Sequence, residues 1–170
     1  MNSLQLLPTE ENLIKTYRDN AIERNNDVNS FVNILYDVDG QMSICVDGQW
    51  GSGKTFFVKQ AKLVLDAMNS VNTAMTEDKK TEIQGIFAKS QEGDTEKSYG
   101  SQFAVYYDAW ENDNDTDPLL SIVYEIVKSA DCMDPVTEDV NFVKLAMDIV
   151  EMVKGVDISK LFVQFTKTRS

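Results

Sequence analysis

The run Gly48-Gln49-Trp50-Gly51-Ser52-Gly53-Lys54-Thr55 sets a glycine, four residues, and then Gly-Lys-Thr in order. In this spacing each residue type has a mechanical duty toward a phosphate chain. Glycines let the backbone bend tightly and turn its N–H groups inward, making a concave anion nest that Cβ atoms would obstruct. A helix starting near Gly53 adds the positive end of its dipole at the same point. Lys54 then reaches the β and γ phosphates as a cation, and the Thr55 hydroxyl is placed to ligate a magnesium ion sharing those oxygens. The whole run, with Gln49, Trp50, Gly51 and Ser52 in it, is therefore the expected binding site for ATP with Mg2+. Hydrolysis is a further claim. It also needs a carboxylate to complete the metal shell, a group that orients water, and often an arginine that offsets developing charge.

Such a loop needs a strand before it and a helix after it, and the chain supplies both patterns. Met42-Ser43-Ile44-Cys45-Val46 is a short apolar run with β-branched members, read as a buried strand. After Gly53, residues Phe57, Ala61, Val64, Leu65 and Met68 recur at helical spacing. Upstream, Leu13, Ile14, Tyr17 and Ala21 mark one helix, and Val28, Phe31, Val32 and Leu35 another. Residues 70–101 are poor in large apolar groups, so they are read as a mobile, solvated insertion with at most a short helix from Ile83 to Lys89. Gln102 to Tyr107, aromatic and β-branched, is a second strand pattern closing on Asp108-Ala109-Trp110. Asp117-Pro118 supplies an N-cap and a first-turn proline for a helix striped by Leu119, Ile122, Val123 and Ile126. Further helices are expected over Glu138 to Lys154 and around Ile158, Leu161, Phe162 and Phe165. A strand, loop and helix feeding a second strand through a long crossover implies an α/β fold, a parallel sheet flanked by helices. One domain is expected: a helical lead-in over 1–40, strand, loop and helix over 41–69, the polar insertion over 70–101, and the second strand with its helices over 102–170.

Composition narrows the partners. The chain has 170 residues, 42% hydrophobic and 26% charged, with a net charge of −12. That balance suits a soluble globular domain but repels nucleic acid and anionic membrane, which are gripped by clustered Lys and Arg. No direct nucleic-acid partner is expected. No apolar run is long enough to span a membrane, and the N-terminus lacks a secretory pattern, so a cytoplasmic location is the default expectation. The two cysteines, Cys45 and Cys132, support neither a disulfide framework nor a zinc site.

The loop with tryptophan inside it, Asp47 to Thr55, together with Tyr106-Tyr107-Asp108-Ala109-Trp110-Glu111 further on, resembles the KAP family of P-loop NTPases. Leu7-Pro8-Thr9-Glu10 and Asp117-Pro118-Leu119-Leu120-Ser121-Ile122 are also similar to bacterial members. The likeness covers roughly residues 5–130. It implies an ATPase of the additional-strand P-loop class, whose glycine loop is the Walker A element, and carries phage defence as one implication. Members also have a Walker B strand ending in paired acidic residues downstream of the tryptophan motif, which this sequence lacks. Animal members insert transmembrane helices between the motifs, where this chain has only the polar stretch 70–101.

Asp108 ends an apolar strand pattern and so has two readings, a magnesium carboxylate or a cap that orients the loop before Trp110. The second is preferred, because in the family the Walker B strand comes later. Asp47 is read as structural. Trp50 either covers a phosphate or ribose or packs under the loop, and Trp110 is read as packing. Three functions compete: ATP hydrolysis coupled to conformational change or assembly, a nucleotide-responsive scaffold without turnover, and a small-molecule kinase. The kinase is disfavoured because Arg18, Arg24 and Arg169 are the only arginines and such enzymes close arginine-rich lids over the phosphates. Since an additional-strand core needs about five strands and the pattern offers fewer, the chain is expected to be part of a larger NTPase, to hydrolyse ATP poorly alone, and to self-associate or take a protein partner.

Overall fold

The computed structural model describes residues 6–90, 99–113 and 117–130. They divide between two units, Met1–Ala104 and Val105–Ser170. The helices expected beyond residue 130 and the stretch 91–98 lie outside the described residues.

Among the described residues the first unit is built from four helices. α1 (Glu10–Asp19) starts at Thr9, whose hydroxyl accepts from the Asn12 amide at 3.3 Å, and ends at Asn20 in the left-handed region. That short polar side chain tolerates positive φ better than most. The cap also stops α1 before Ala21, which is exposed rather than on the helix face. α2 (Asn25–Asp37) follows after a five-residue turn, α3 (Lys54–Met68) begins at the glycine loop, and α4 (Glu77–Lys89) lies in the stretch read as an insertion. α3 packs against α1, α2 and α4, and α1 also meets α4. Leu13, Ile14 and Tyr17 of α1, Val28 and Val32 of α2, and Ala61, Val64 and Leu65 of α3 share one buried core. These are residues whose spacing marked the helix faces, so local periodicity and tertiary packing agree.

α4 corrects the reading of 70–101 as a solvated loop. Ile83 is fully buried and Phe87 1% exposed, each contributing about 1.5–3 kcal/mol on burial. Tyr99 sets its ring edge-on to both Phe87 and Tyr36, with centroids 5.2 and 4.9 Å apart. The signal was weak because the third buried position on this face is Lys80, 4% exposed. Its stem is buried while its ammonium meets Glu77 at 2.7 Å, so a charged residue occupies a core-facing position. Arg18 of α1 pairs through two nitrogens with Glu82 of α4, and Lys79 with Glu10.

A polar thread crosses the core. The fully buried Tyr17 donates to Asn29 Oδ1 at 2.5 Å, Asn29 Nδ2 donates to Ser90 at 2.7 Å, and Gln60 Nε2 donates to Thr16 at 3.0 Å. Burial pushes the Tyr17 hydroxyl far above its ordinary pKa, against the smaller pull of Asn29.

The run 42–46 is not buried. Met42 is 59% and Ile44 42% exposed, and Cys45 is exposed as well. A strand of this length is covered by its ladder neighbours, and among the described residues neither 42–46 nor 102–107 pairs in a ladder. The helices of the α/β expectation are therefore seen, and the parallel sheet is not seen among these residues.

In the second unit the described chain runs through the tryptophan turn to α5 (Pro118–Ala130). Asp117 caps this helix as expected, its carboxylate accepting from the Leu119 and Leu120 amides at 3.1 and 3.4 Å, with Pro118 in the first turn. Val123 is buried, with Ile126 and Val127 packed beside it, while Ile122 faces outward more than its stripe position suggested.

Candidate nucleotide site

The glycine loop takes the conformation its composition demands. Gly51 and Gly53 sit at φ +77 and +86, where a side chain is strained. A Cβ added at Gly48 would meet the Ser52 hydroxyl at 2.9 Å, so that hydroxyl would have to turn away to admit it. The Ser52 amide donates to the Gln49 carbonyl at 3.2 Å and completes the turn. Gly53 is the N-cap of α3, and no side chain caps that helix start. The first-turn amides of α3, which have no partner within the helix, are thereby left to face an external acceptor, together with the helix dipole.

Lys54 and Thr55 are the first two residues of α3. The Lys54 ammonium folds back over the loop and donates to the Gly48 and Gln49 carbonyls at 2.6 and 2.9 Å. Its charge is thus held at the loop mouth in advance of any phosphate. Thr55 is exposed, as are Gly48, Gln49, Trp50, Gly51 and Gly53, with Ser52 half-buried. Apart from Asp108, treated below, the residues read as a site fall together here, on one solvent-facing loop. Trp50 is 88% exposed, so it does not pack under the loop. Of the two roles read for it, covering a bound ligand is the one that this placement allows. Asp47 is exposed at the loop entrance.

Arg24 was not read as a site residue, yet its Nη1 donates to the Ser52 carbonyl at 3.1 Å. It stands twenty-eight positions before Ser52, and no local pattern joins the two.

Asp108 lies in the second unit, and its contacts are those of a cap. Oδ1 accepts from the Trp110 and Glu111 amides at 3.0 and 3.4 Å, and Oδ2 accepts from the Tyr106 hydroxyl at 3.0 Å. Its carbonyl accepts from the Asn112 amide and side chain at 3.2 and 2.8 Å. Burial first, then the bond to Asp108 and the charges of Asp108 and Glu111, push the Tyr106 hydroxyl up to about 12. Trp110, read as packing, is 78% exposed. The cap fixes the backbone of this turn without drawing the indole inward.

A nucleotide with magnesium fits the first of these sites by its chemistry. A nest of left-handed glycines, an uncapped helix start and a cation suit polyphosphate, and Thr55 is the residue that would touch the ion. Among the described residues no group of three His, Cys, Asp or Glu side chains converges. No helix among the described residues is long and apolar enough to cross a membrane.

The KAP family P-loop domain matches residues 24–152, more than half of the chain. No curated protein and no solved structure matches it.

Proposed function

Because this chain belongs to the KAP family of P-loop domains, we propose that it binds ATP with magnesium through Gly48–Thr55 and that binding drives conformational change or assembly. A P-loop fold and nucleotide binding are what the family implies; the choice of ATP, the metal and the individual residues are this proposal. The observation that carries it is the Lys54 ammonium held on the Gly48 and Gln49 carbonyls of a loop that enters an uncapped helix through left-handed Gly51 and Gly53. In this reading the loop amides and Lys54 bind the phosphates, Thr55 holds the magnesium, and Trp50 covers the bound nucleotide. Magnesium, when bound, offsets charge between the β and γ phosphates.

Turnover by these residues alone is slow in this reading. Both carboxylate oxygens of Asp108 already accept hydrogen bonds from its own turn, which favours a cap over a metal carboxylate and supports a nucleotide-responsive scaffold as the second reading. Hydrolysis, assembly and a role in phage defence then depend on further groups or a protein partner.

Titration calorimetry tests the binding. Lys54→Ala removes a charge-assisted contact worth about 1.5–3 kcal/mol, so Mg-ATP affinity drops by about tenfold or more with the helical content intact. Unchanged affinity would take Lys54 out of the site. Phosphate release without an acceptor distinguishes an ATPase from a scaffold, and acceptor-dependent loss of ATP would indicate a kinase.

A further inference from the structure

We propose that Arg24 is a positioning residue of the phosphate loop, holding the Ser52 carbonyl so that the Gly53 amide in the same peptide is aimed at the bound phosphates. This rests on the nucleotide reading of Gly48–Thr55 and adds to it a residue that lies outside the loop.

The peptide joining Ser52 to Gly53 is trans, since no cis bonds occur among the described residues. In a trans peptide the C=O and N–H point in opposite directions. A guanidinium on the Ser52 oxygen at 3.1 Å therefore fixes where the Gly53 N–H points, away from Arg24. Glycine at 51 and 53 frees the loop to bend, and the same freedom lets the Ser52–Gly53 peptide flip. An external hydrogen bond on that carbonyl selects one of its two orientations. The Arg24 side chain also approaches Gly53 itself, with Nη1 3.7 Å from where a Cβ would stand.

The turn that presents Arg24 is built for the purpose. Between α1 and α2, Asn20 and Glu23 both hold positive φ, +48 and +54, and for Glu23 this is a costly conformation that its surroundings must impose. They do so through a set of hydrogen bonds. The Glu23 amide donates to the Asn20 carbonyl at 2.9 Å, the Asn25 amide to Asn20 Oδ1 at 3.2 Å, and Asn25 Nδ2 to the Tyr17 carbonyl at 2.6 Å. Tyr17 is fully buried, so the turn is tied to the core. The Arg24 carbonyl accepts from the Val28 amide at 3.0 Å as α2 begins. The backbone strain at Glu23 and the contact at Ser52 thus belong to adjacent residues, with the core behind them.

The experiment compares the full chain with Arg24→Ala and Arg24→Lys, titrating each with Mg-ADP and with Mg-ATP and following the 15N-labelled Gly53 amide. An amide that cradles the inner phosphates serves both nucleotides. Arg24→Ala is expected to weaken both by a similar factor, about five- to tenfold, the size of one net hydrogen bond. The Gly53 resonance should no longer shift on ADP addition, and Arg24→Lys, which can still donate to the carbonyl, should restore much of the affinity. Loss for ATP alone would mean direct contact with the terminal phosphate and overturn the inference. Unchanged affinity and an unchanged Gly53 shift would overturn it too, as would Arg24→Ala losing its helical circular dichroism while Arg24→Lys binds no better than Arg24→Ala. If Lys54→Ala weakens binding while Arg24→Ala does not, only the role of Arg24 is lost. If the unaltered chain binds neither nucleotide, the reading of the loop falls and takes this one with it.

Discussion

Two turns in this chain carry an exposed tryptophan, and they treat their backbone amides in opposite ways. In the turn at Trp110 an aspartate supplies the acceptor: Asp108 takes the Trp110 and Glu111 amides on one carboxylate oxygen and the Tyr106 hydroxyl on the other. In the loop at Trp50 a glycine stands at the helix start, and no side chain caps α3. A helix start or turn has donors that must find an acceptor. Where the chain provides the acceptor, the turn is finished structure; where it provides glycine, the acceptor has to come from outside. The same contrast separates α5, capped by Asp117, from α3. It also explains why a carboxylate in a motif beside a tryptophan is a poor guide to a metal site until its hydrogen bonds are known.

The harshest way to break the contrast is to give the phosphate loop the other turn's device. Gly53→Asp puts a carboxylate at the α3 N-cap, and aspartate tolerates positive φ better than most residues. It would take the helix amides for itself and set a negative charge against the phosphates. Mg-ATP affinity is expected to fall about a hundredfold or more, with the helical content kept and the melting temperature lowered only by the strain of a side chain at positive φ; calorimetry and circular dichroism check both halves. Retained binding would mean that the helix start is not where the phosphates sit.

A smaller effect separates the two candidates for the metal. Thr55→Ala should remove most of the magnesium dependence of nucleotide affinity while leaving metal-free binding nearly intact. Asp108→Ala should leave the magnesium dependence in place and instead cost about 1 kcal/mol of stability, the usual worth of a cap. Titrations with and without magnesium, paired with denaturant unfolding, decide between them. An equal or larger metal effect at Asp108 would make it the magnesium carboxylate and end its description as a cap.

The gentlest test uses pH. The Tyr106 hydroxyl, ordinarily near 10, is raised to about 12 in the folded chain. Below pH 10 it is neutral in both states, and its contribution to stability is fully present. Between about 10 and 12 the unfolded chain ionises first, so this contribution is lost as pH rises through that window. Tyr106→Phe should make the decline of stability above pH 10 shallower than in the unaltered chain, by chemical denaturation at stepped pH. An identical slope would show that neither burial nor the bond to Asp108 holds the proton on Tyr106.

How much of this could be read from residue order depends on range. The loop was legible because its constraints are local: left-handed glycines, a lysine and a threonine at a helix start lie within eight consecutive residues. The faces of α1, α2 and α3 and the cap at Asp117 were legible for the same reason, since helix periodicity and capping reach only three or four positions. The capping role of Asp108 was readable too, its amide partners being two and three residues ahead. What residue order could not disclose is set by partners distant in the chain. Lys80 is buried on a helix that packs against α1 and α3, so α4 resembles a solvated stretch until those neighbours are known. The run 42–46 has the apolar character of a buried strand, but burial depends on what pairs with it, and composition carries no register. Arg24 reaches Ser52 only after the α1–α2 turn is tied to the buried Tyr17 and α3 is packed on α2. Local sterics and short-range hydrogen bonds act over a few residues and are written in their order, whereas the contact between that arginine and the loop exists only once the core has brought the two segments together.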